Sequence, residues 1–189
     1  ADGAVTTFYD QSGNGNDATN ATDSEQPLVV SGGTLVTENG KAAVEFDGSD
    51  DAFSISVGIT SGFGVFGVYK NTKANSYIIG NNPELGRRSN DEYRFREAIG
   101  FSAGANGGIH TNNQVLIGGL EDGANARVYA NGVEQAFIES TFTSATIDSI
   151  SKNYVDGTMQ EIIIFNSDQS SNREDIENNI NKHFKIYEE

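Results

Sequence analysis

Apolar residues along this chain recur with a period of two or in short runs, and clusters of Gly, Asn, Asp and Ser separate them. Period-two alternation puts successive side chains on opposite faces of an extended backbone, so the pattern predicts many short strands. They fall near 4–9, 27–30, 34–37, 42–47, 52–57, 63–69, 76–80, 91–97, 98–102, 114–120, 125–130, 133–138, 146–151 and 159–166. Two hairpin turns are well specified, at Glu38-Asn39-Gly40-Lys41 and at Asn131-Gly132 between Ala130 and Val133. Asn-Gly suits the type I′ turn, which needs positive φ at both central residues. One helix is predicted, at the C-terminus. There Ser171 with Glu174 reads as a capping box, and Ile176, Ile180, Phe184 and Tyr187 form one stripe that packs on a sheet edge or convex face. The stretch Ala103-Gly104-Ala105-Asn106-Gly107-Gly108 reads as a loop. Many short strands and one late helix predict an all-β fold, a two-sheet antiparallel jelly-roll sandwich with one C-terminal helix.

The length of 189 residues fits a single domain over 1–189. Twelve basic residues against 27 acidic ones give a net charge of −15, which opposes nucleic acid and anionic membrane surfaces as partners and leaves neutral ligands and cations. The absence of cysteine excludes a disulfide framework and thiol chemistry. No stretch reaches the roughly 20 apolar residues that span a bilayer, so membrane insertion is not expected. The abrupt start at Ala1-Asp2-Gly3, with strand-like sequence by Val5, is read as a piece of something longer. The acidic, Asn/Gly/Thr-rich composition suits extracellular water.

The densest local signal is Asp10-Gln11-Ser12-Gly13-Asn14-Gly15-Asn16-Asp17-Ala18. Gly13 and Gly15 permit positive φ, and Asp and Asn side chains close turns on the backbone. The same oxygens, with Asp10, Asn14, Asn16 and Asp17 as candidate ligands, suit a hard cation such as calcium. Turn and metal cradle are both open readings, although no spacing matches an EF-hand. Asp47, Asp50 and Asp51 form a second acidic turn, read as a solvated hairpin.

Tyr9 to Ala18, then Gln26-Pro27, Asn39-Gly40-Lys41 and Phe46-Asp47-Gly48-Ser49-Asp50-Asp51, follow an order that resembles the concanavalin A-like lectin/glucanase superfamily, in its laminin-G-like bacterial and phage branch. Val128-Tyr129-Ala130-Asn131-Gly132-Val133 resembles that family's second hairpin, and Asp156-Gly157 through Glu161 to Asn166 its closing strand. The likeness covers about 5–187. It implies a lectin-like carbohydrate-binding module of a larger extracellular, cell-surface or virion protein, such as a phage tail fibre or adhesin. The partners it implies are a surface glycan or polysaccharide and neighbouring domains, with a homo-oligomer also open. Relatives carry further strand sequence before the Asp10 loop, and calcium on the convex side is frequent among them.

A second constellation is cationic. Arg87, Arg88, Arg94 and Arg96 are four of six arginines, and alternation in Tyr93-Arg94-Phe95-Arg96 puts the arginines on one face and the aromatics on the other. Such a strip can seat an anionic sugar by bidentate contacts. Carboxylates for plain ion pairing also stand nearby, at Glu84, Asp91, Glu92 and Glu97. With no Trp, any aromatic sugar platform falls to Tyr69, Tyr77, Tyr93, Tyr129 or Tyr154, most of them read as core or edge residues. His110 is read as a loop residue that is either plainly exposed or lines a site. The candidate ligand-binding set is therefore Arg87, Arg94, Arg96, Tyr93 and His110, with the ligand expected there and not at the Asp10 loop.

Catalysis lacks a complete carboxylate pair. The superfamily's glucanase pattern Glu-x-Asp-x-x-Glu is absent, and Glu84 in Gly80-Asn81-Asn82-Pro83-Glu84 only loosely resembles the nucleophile segment of arabinofuranosidases. The matching acid has no counterpart in Asp148-Ser149-Ile150-Ser151-Lys152-Asn153. A structural spacer or oligomerisation module, and an arabinofuranosidase-like hydrolase with Glu84 as nucleophile, are the alternatives to the lectin-like reading.

Overall fold

The computed structural model describes residues 1–80, 83–96, 105–140 and 142–188. The alternation in Phe53-Ser54-Ile55-Ser56-Val57-Gly58-Ile59-Thr60 yields a strand with Phe53 and Ile59 buried and the serines exposed. Repeated along the chain, this pattern builds two large antiparallel sheets and a separate two-stranded hairpin, Thr37–Glu38 with Lys41–Ala42. The nine-stranded sheet runs Gly3–Ala4, Leu28–Ser31, Val44–Asp47, Asp156–Phe165, Phe63–Asn71, Val115–Glu121, Asn125–Ala130 and Val133–Glu139, with Thr34–Leu35 attached to Leu28–Ser31. The eight-stranded sheet runs Ala105–Gly107, Tyr93–Arg96, Glu84–Arg87, Ser76–Gly80, Ser144–Lys152, Phe53–Thr60, Ala18–Thr19 and Thr7–Phe8.

The core lies between the sheets. Phe63, Val65, Tyr69, Ile117 and Val128 of one sheet meet Ile59, Ile79, Leu85, Phe95 and Ile147 of the other. Every second residue of Phe63–Asn71 faces the opposite way, so Phe66 and Val68 join Leu116, Leu120 and Tyr129 in a second apolar cluster on the outer face. The helix Arg173–Phe184 covers that cluster through Ile180 and Phe184. Thus the stripe at 176, 180, 184 and 187 docks on a sheet face, as its spacing predicts. Both Asn-Gly turns form with positive φ at Asn39, Gly40, Asn131 and Gly132. Asn39 also donates its Nδ2 to the carbonyls of Phe184 and Lys185, capping the helix C-terminus from a distant hairpin.

Four expectations need correction. The capping box does not form: the residue before the helix is Asn172, in αR conformation and without a side-chain cap bond, so Ser171 lies outside the cap position. The strand expected over 4–9 is broken, because Gly3–Ala4 joins one sheet and Thr7–Phe8 the other. Glu84–Arg87 is a strand where none was expected. Gly86 in it is required by close approach, since a Cβ there would meet Tyr77 Cα at 2.6 Å. Ala105–Gly107 pairs with Tyr93–Phe95 and is an edge strand, not loop. The expected strand at 98–102 lies outside the described residues.

Among the described residues no helix is long and apolar enough to cross a membrane.

Candidate functional site

The arginines divide into two groups because a strand exposes alternate residues on opposite faces. Tyr93 and Phe95 are buried between the sheets, which turns Arg94 and Arg96 to the outer face of the eight-stranded sheet. Glu84 is the register partner of Arg96, and their side chains form an ion pair at 2.8 Å. The register partner of Arg94 is Gly86, which has no side chain. Arg94 Nε is buried and has no hydrogen-bond partner among the described residues. Tyr77 is close to this group; burial pushes its hydroxyl pKa up, the Glu84 charge adds to this, and Arg94 and Arg96 oppose it. Lys152, the register partner of Tyr77, lies with its stem across Gly80 on the same face. In a chain of net charge −15, this face brings Arg94, Arg96 and Lys152 together near Glu84.

Arg87 points the other way, toward the end of the core. Its guanidinium donates to Asp91 Oδ1, to the Asn71 carbonyl and to Asn112 Oδ1. Arg88 pairs with Glu92 at 3.2 Å. His110 joins the Arg87 group and is 3% exposed, which corrects the reading of it as plainly exposed. Its ring packs against Tyr69 and Tyr93, with centroids 5.5 and 5.1 Å away, and its Nε2 lies 2.8 Å from the Tyr69 hydroxyl. Burial first, then the Arg87 charge, push its pKa down to about 4, with Asp91 opposing. The candidate ligand-binding residues therefore fall into two places: Arg94 and Arg96 on the outer face, and Arg87, Tyr93 and His110 in a packed polar cluster at the sandwich end. The carboxylate of Glu84 faces Arg96, so the chemistry it offers here is ion pairing.

The Asp10 loop is closed by its own hydrogen bonds. Asp10 accepts the backbone N–H of Ser12 and of Asn16 on its two oxygens, at 2.7 and 2.9 Å, and Asp17 Oδ1 accepts the N–H of Asp10 at 2.8 Å. The Ser12 hydroxyl, then the N–H groups of Asn16 and Ser12, hold the Asp10 carboxyl down at about 2. Asn14 Nδ2 donates to Ser12 Oγ. Among the described residues, the carboxylate trio whose oxygens converge within 4.8 Å is instead Asp47, Asp50 and Asp51. Asp51 is buried, contrary to a wholly solvated hairpin, and burial, helped by the charges of Asp47, Asp50 and Glu45, pushes its pKa up to about 6.

The loop also walls a cleft of about 550 Å³ between the two sheets. Asp10, Gln11, Asn14 and Asn16 lie at its mouth, with exposed Tyr9, and Ile55, Val57, Ile162 and Ile164 line its apolar interior. Sequence reasoning missed this cleft. Its one signal was the unbroken apolar run Ile162-Ile163-Ile164-Phe165, which is strong for a strand that needs cover on both faces.

No family model matches the chain, and no curated protein matches its sequence. Solved structures match its fold. Trypanosoma rangeli sialidase in complex with sialic acid superposes with a TM-score of 0.62 at 11% identity, over 96% of this chain and 32% of that one. The binding domain of botulinum neurotoxin DC in complex with SialylT gives 0.53 at 13% identity, over 96% of this chain and 50% of that one. A second botulinum structure, from work on type C entry and two ganglioside molecules, gives 0.53 at 12% identity over the same shares. The chain thus spans between about a third and a half of these proteins, and at such identities the likeness is one of fold.

Proposed function

We propose that this chain is a non-catalytic, concanavalin A-like carbohydrate-binding module that takes acidic sugars on the outer face of its eight-stranded sheet. The observation that carries this reading is Arg94, set opposite Gly86 with no carboxylate paired to it among the described residues, beside an Arg96 already neutralised by Glu84. A guanidinium recognises a carboxylate through parallel N–H donors, and it does so best where no protein carboxylate competes. The fold neighbours add support, since they include a sialidase with sialic acid, a toxin binding domain with SialylT and a toxin whose entry depends on two ganglioside molecules. On this reading the module belongs to a larger extracellular or virion protein and serves attachment to surface glycans.

The test is titration of the purified chain with sialyllactose and with lactose. Binding of the first and not the second, lost in Arg94→Ala, supports the reading. Equal binding of both, or an Arg94→Ala variant that binds like the parent, removes it.

A further inference from the structure

Two strand edges on the same side of the sandwich are paired over only part of their length. Asp156–Phe165 is flanked by Phe63–Asn71 as far as Phe165, but by Val44–Asp47 only over Asp156–Met159. Phe53–Thr60 is flanked by Ser144–Lys152 as far as Thr60, but meets Ala18–Thr19 only at Ser54. Among the described residues, Ile162–Phe165 in one sheet and Ile55–Thr60 in the other therefore have a strand neighbour on one side and none on the other. The cleft of about 550 Å³ lies between these two edges. The Asp10 loop lines one side of it, and farther along the two strands Thr60 donates its N–H and Oγ1 to Asn166 Oδ1, tying the sheets together.

The chemistry of the cleft selects its occupant. Its interior is aliphatic, so a sugar would gain little there. Its edges offer unpaired backbone N–H and C=O groups, which a lipid chain cannot satisfy. An extended peptide meets both demands, since its main chain prolongs a ladder while alternate side chains fill the apolar floor. Charge decides between donors. The molecule carries −15, Asp10 and Asp17 stand in the loop at the mouth, and Glu161 sits on the edge strand. A second copy would bring the same charge to the same place, and large like charge keeps chains apart.

We propose that this cleft is an acceptor for a β-strand donated by another polypeptide, with aliphatic residues at alternate positions and lysine or arginine at the others. A strand of about five residues spans the open edge at about 3.3 Å per residue.

The test uses the purified chain and three synthetic peptides: one alternating Val/Ile with Lys, one of the same composition with apolar and basic residues in separate blocks, and one alternating Val/Ile with Glu. The readout is amide hydrogen exchange at Ile55–Ile59 and Ile162–Phe165. The alternating basic peptide is expected to slow exchange there by about 100-fold at 100 times its Kd, as mass action requires. The block and acidic peptides are expected to leave it within about twofold. A Val57→Lys variant that keeps its far-ultraviolet circular dichroism should lose the protection, and Val57→Thr serves if the first does not fold. No protection, equal protection by the block peptide, or a peptide-free dimer that protects the same amides each overturns the proposal. So does a longer natural polypeptide in which these amides are already protected and the peptide no longer binds, because the strand is then its own.

Discussion

Arg96 meets Glu84 across neighbouring strands at 2.8 Å, whereas Arg94, two residues earlier on the same face, stands opposite Gly86. One pleat thus separates an arginine paired with a carboxylate from one that has Gly86 and Asn106 as its register partners and the Tyr77 side chain beside it. The two should respond differently to mutation. Arg96→Ala strands a Glu84 that is 8% exposed, and urea unfolding should show a loss of about 1–3 kcal/mol. Arg94→Ala should cost less stability than Arg96→Ala. The reverse order would mean that Arg94 belongs to the structural framework.

His110 should give the protein an acid-sensitive step. Its pKa falls from 6.5 to about 4 on folding, so the folded state binds its proton less readily than the unfolded one. The stability it contributes is present above pH 6.5 and is lost as pH falls toward 4, on the order of 3 kcal/mol at about 1.4 kcal/mol per decade. Asp51 acts in the opposite sense. Its pKa rises from 3.8 to about 6, so its contribution is present below 3.8 and is lost as pH climbs through 6. Stability measured from pH 4 to 7 should therefore rise less steeply in His110→Phe than in the parent, and more steeply in Asp51→Asn. Superposable profiles for all three would contradict these assignments.

Arg173 holds a buried carboxylate on the helix. It pairs with Glu177, donates to the Gly132 carbonyl and lies over the Tyr129 ring at 4.5 Å. Glu177 is 1% exposed, its Oε1 has no hydrogen-bond partner among the described residues, and burial raises its pKa against the opposing Arg173 charge. Arg173→Ala should cost about 3 kcal/mol at pH 7 by leaving that charge buried and unpaired. The loss should shrink as pH falls, because protonation then removes the charge. Adding Glu177→Leu should recover part of it. A loss that is independent of pH would assign the effect to the Tyr129 and Gly132 contacts and not to the buried Glu177 charge.

The Asp10 loop has its own test. Its oxygens are already engaged by backbone N–H groups, so millimolar calcium or a chelator should leave the Tm unchanged, while Asp10→Ala should lower it. A calcium-dependent rise would instead make the loop a metal site, since a ligand bound only by the folded state must stabilise it.

Local rules carried much of the architecture. The alternation in Phe53–Thr60, the two Asn-Gly turns and the stripe of Ile176, Ile180 and Phe184 are short-range patterns, and each forms as its spacing requires. What failed was set by contacts far apart in sequence. Gly86 is a glycine because the Tyr77 backbone, nine residues earlier, passes against it. His110 is buried by Tyr69, 41 residues earlier, and by Tyr93. The cleft arises where two pairing partners stop short, and no local pattern records the length of a partner strand.

The most direct measurement is isothermal titration of sialyllactose into the parent chain, Arg94→Ala and Arg96→Ala, at low and at physiological salt. The parent is expected to bind, with affinity falling as salt rises, and Arg94→Ala to lose about 10-fold or more, the worth of a charge-assisted hydrogen bond. An unchanged Kd in Arg94→Ala, or no heat of binding from the folded parent at any ligand concentration, would contradict this expectation.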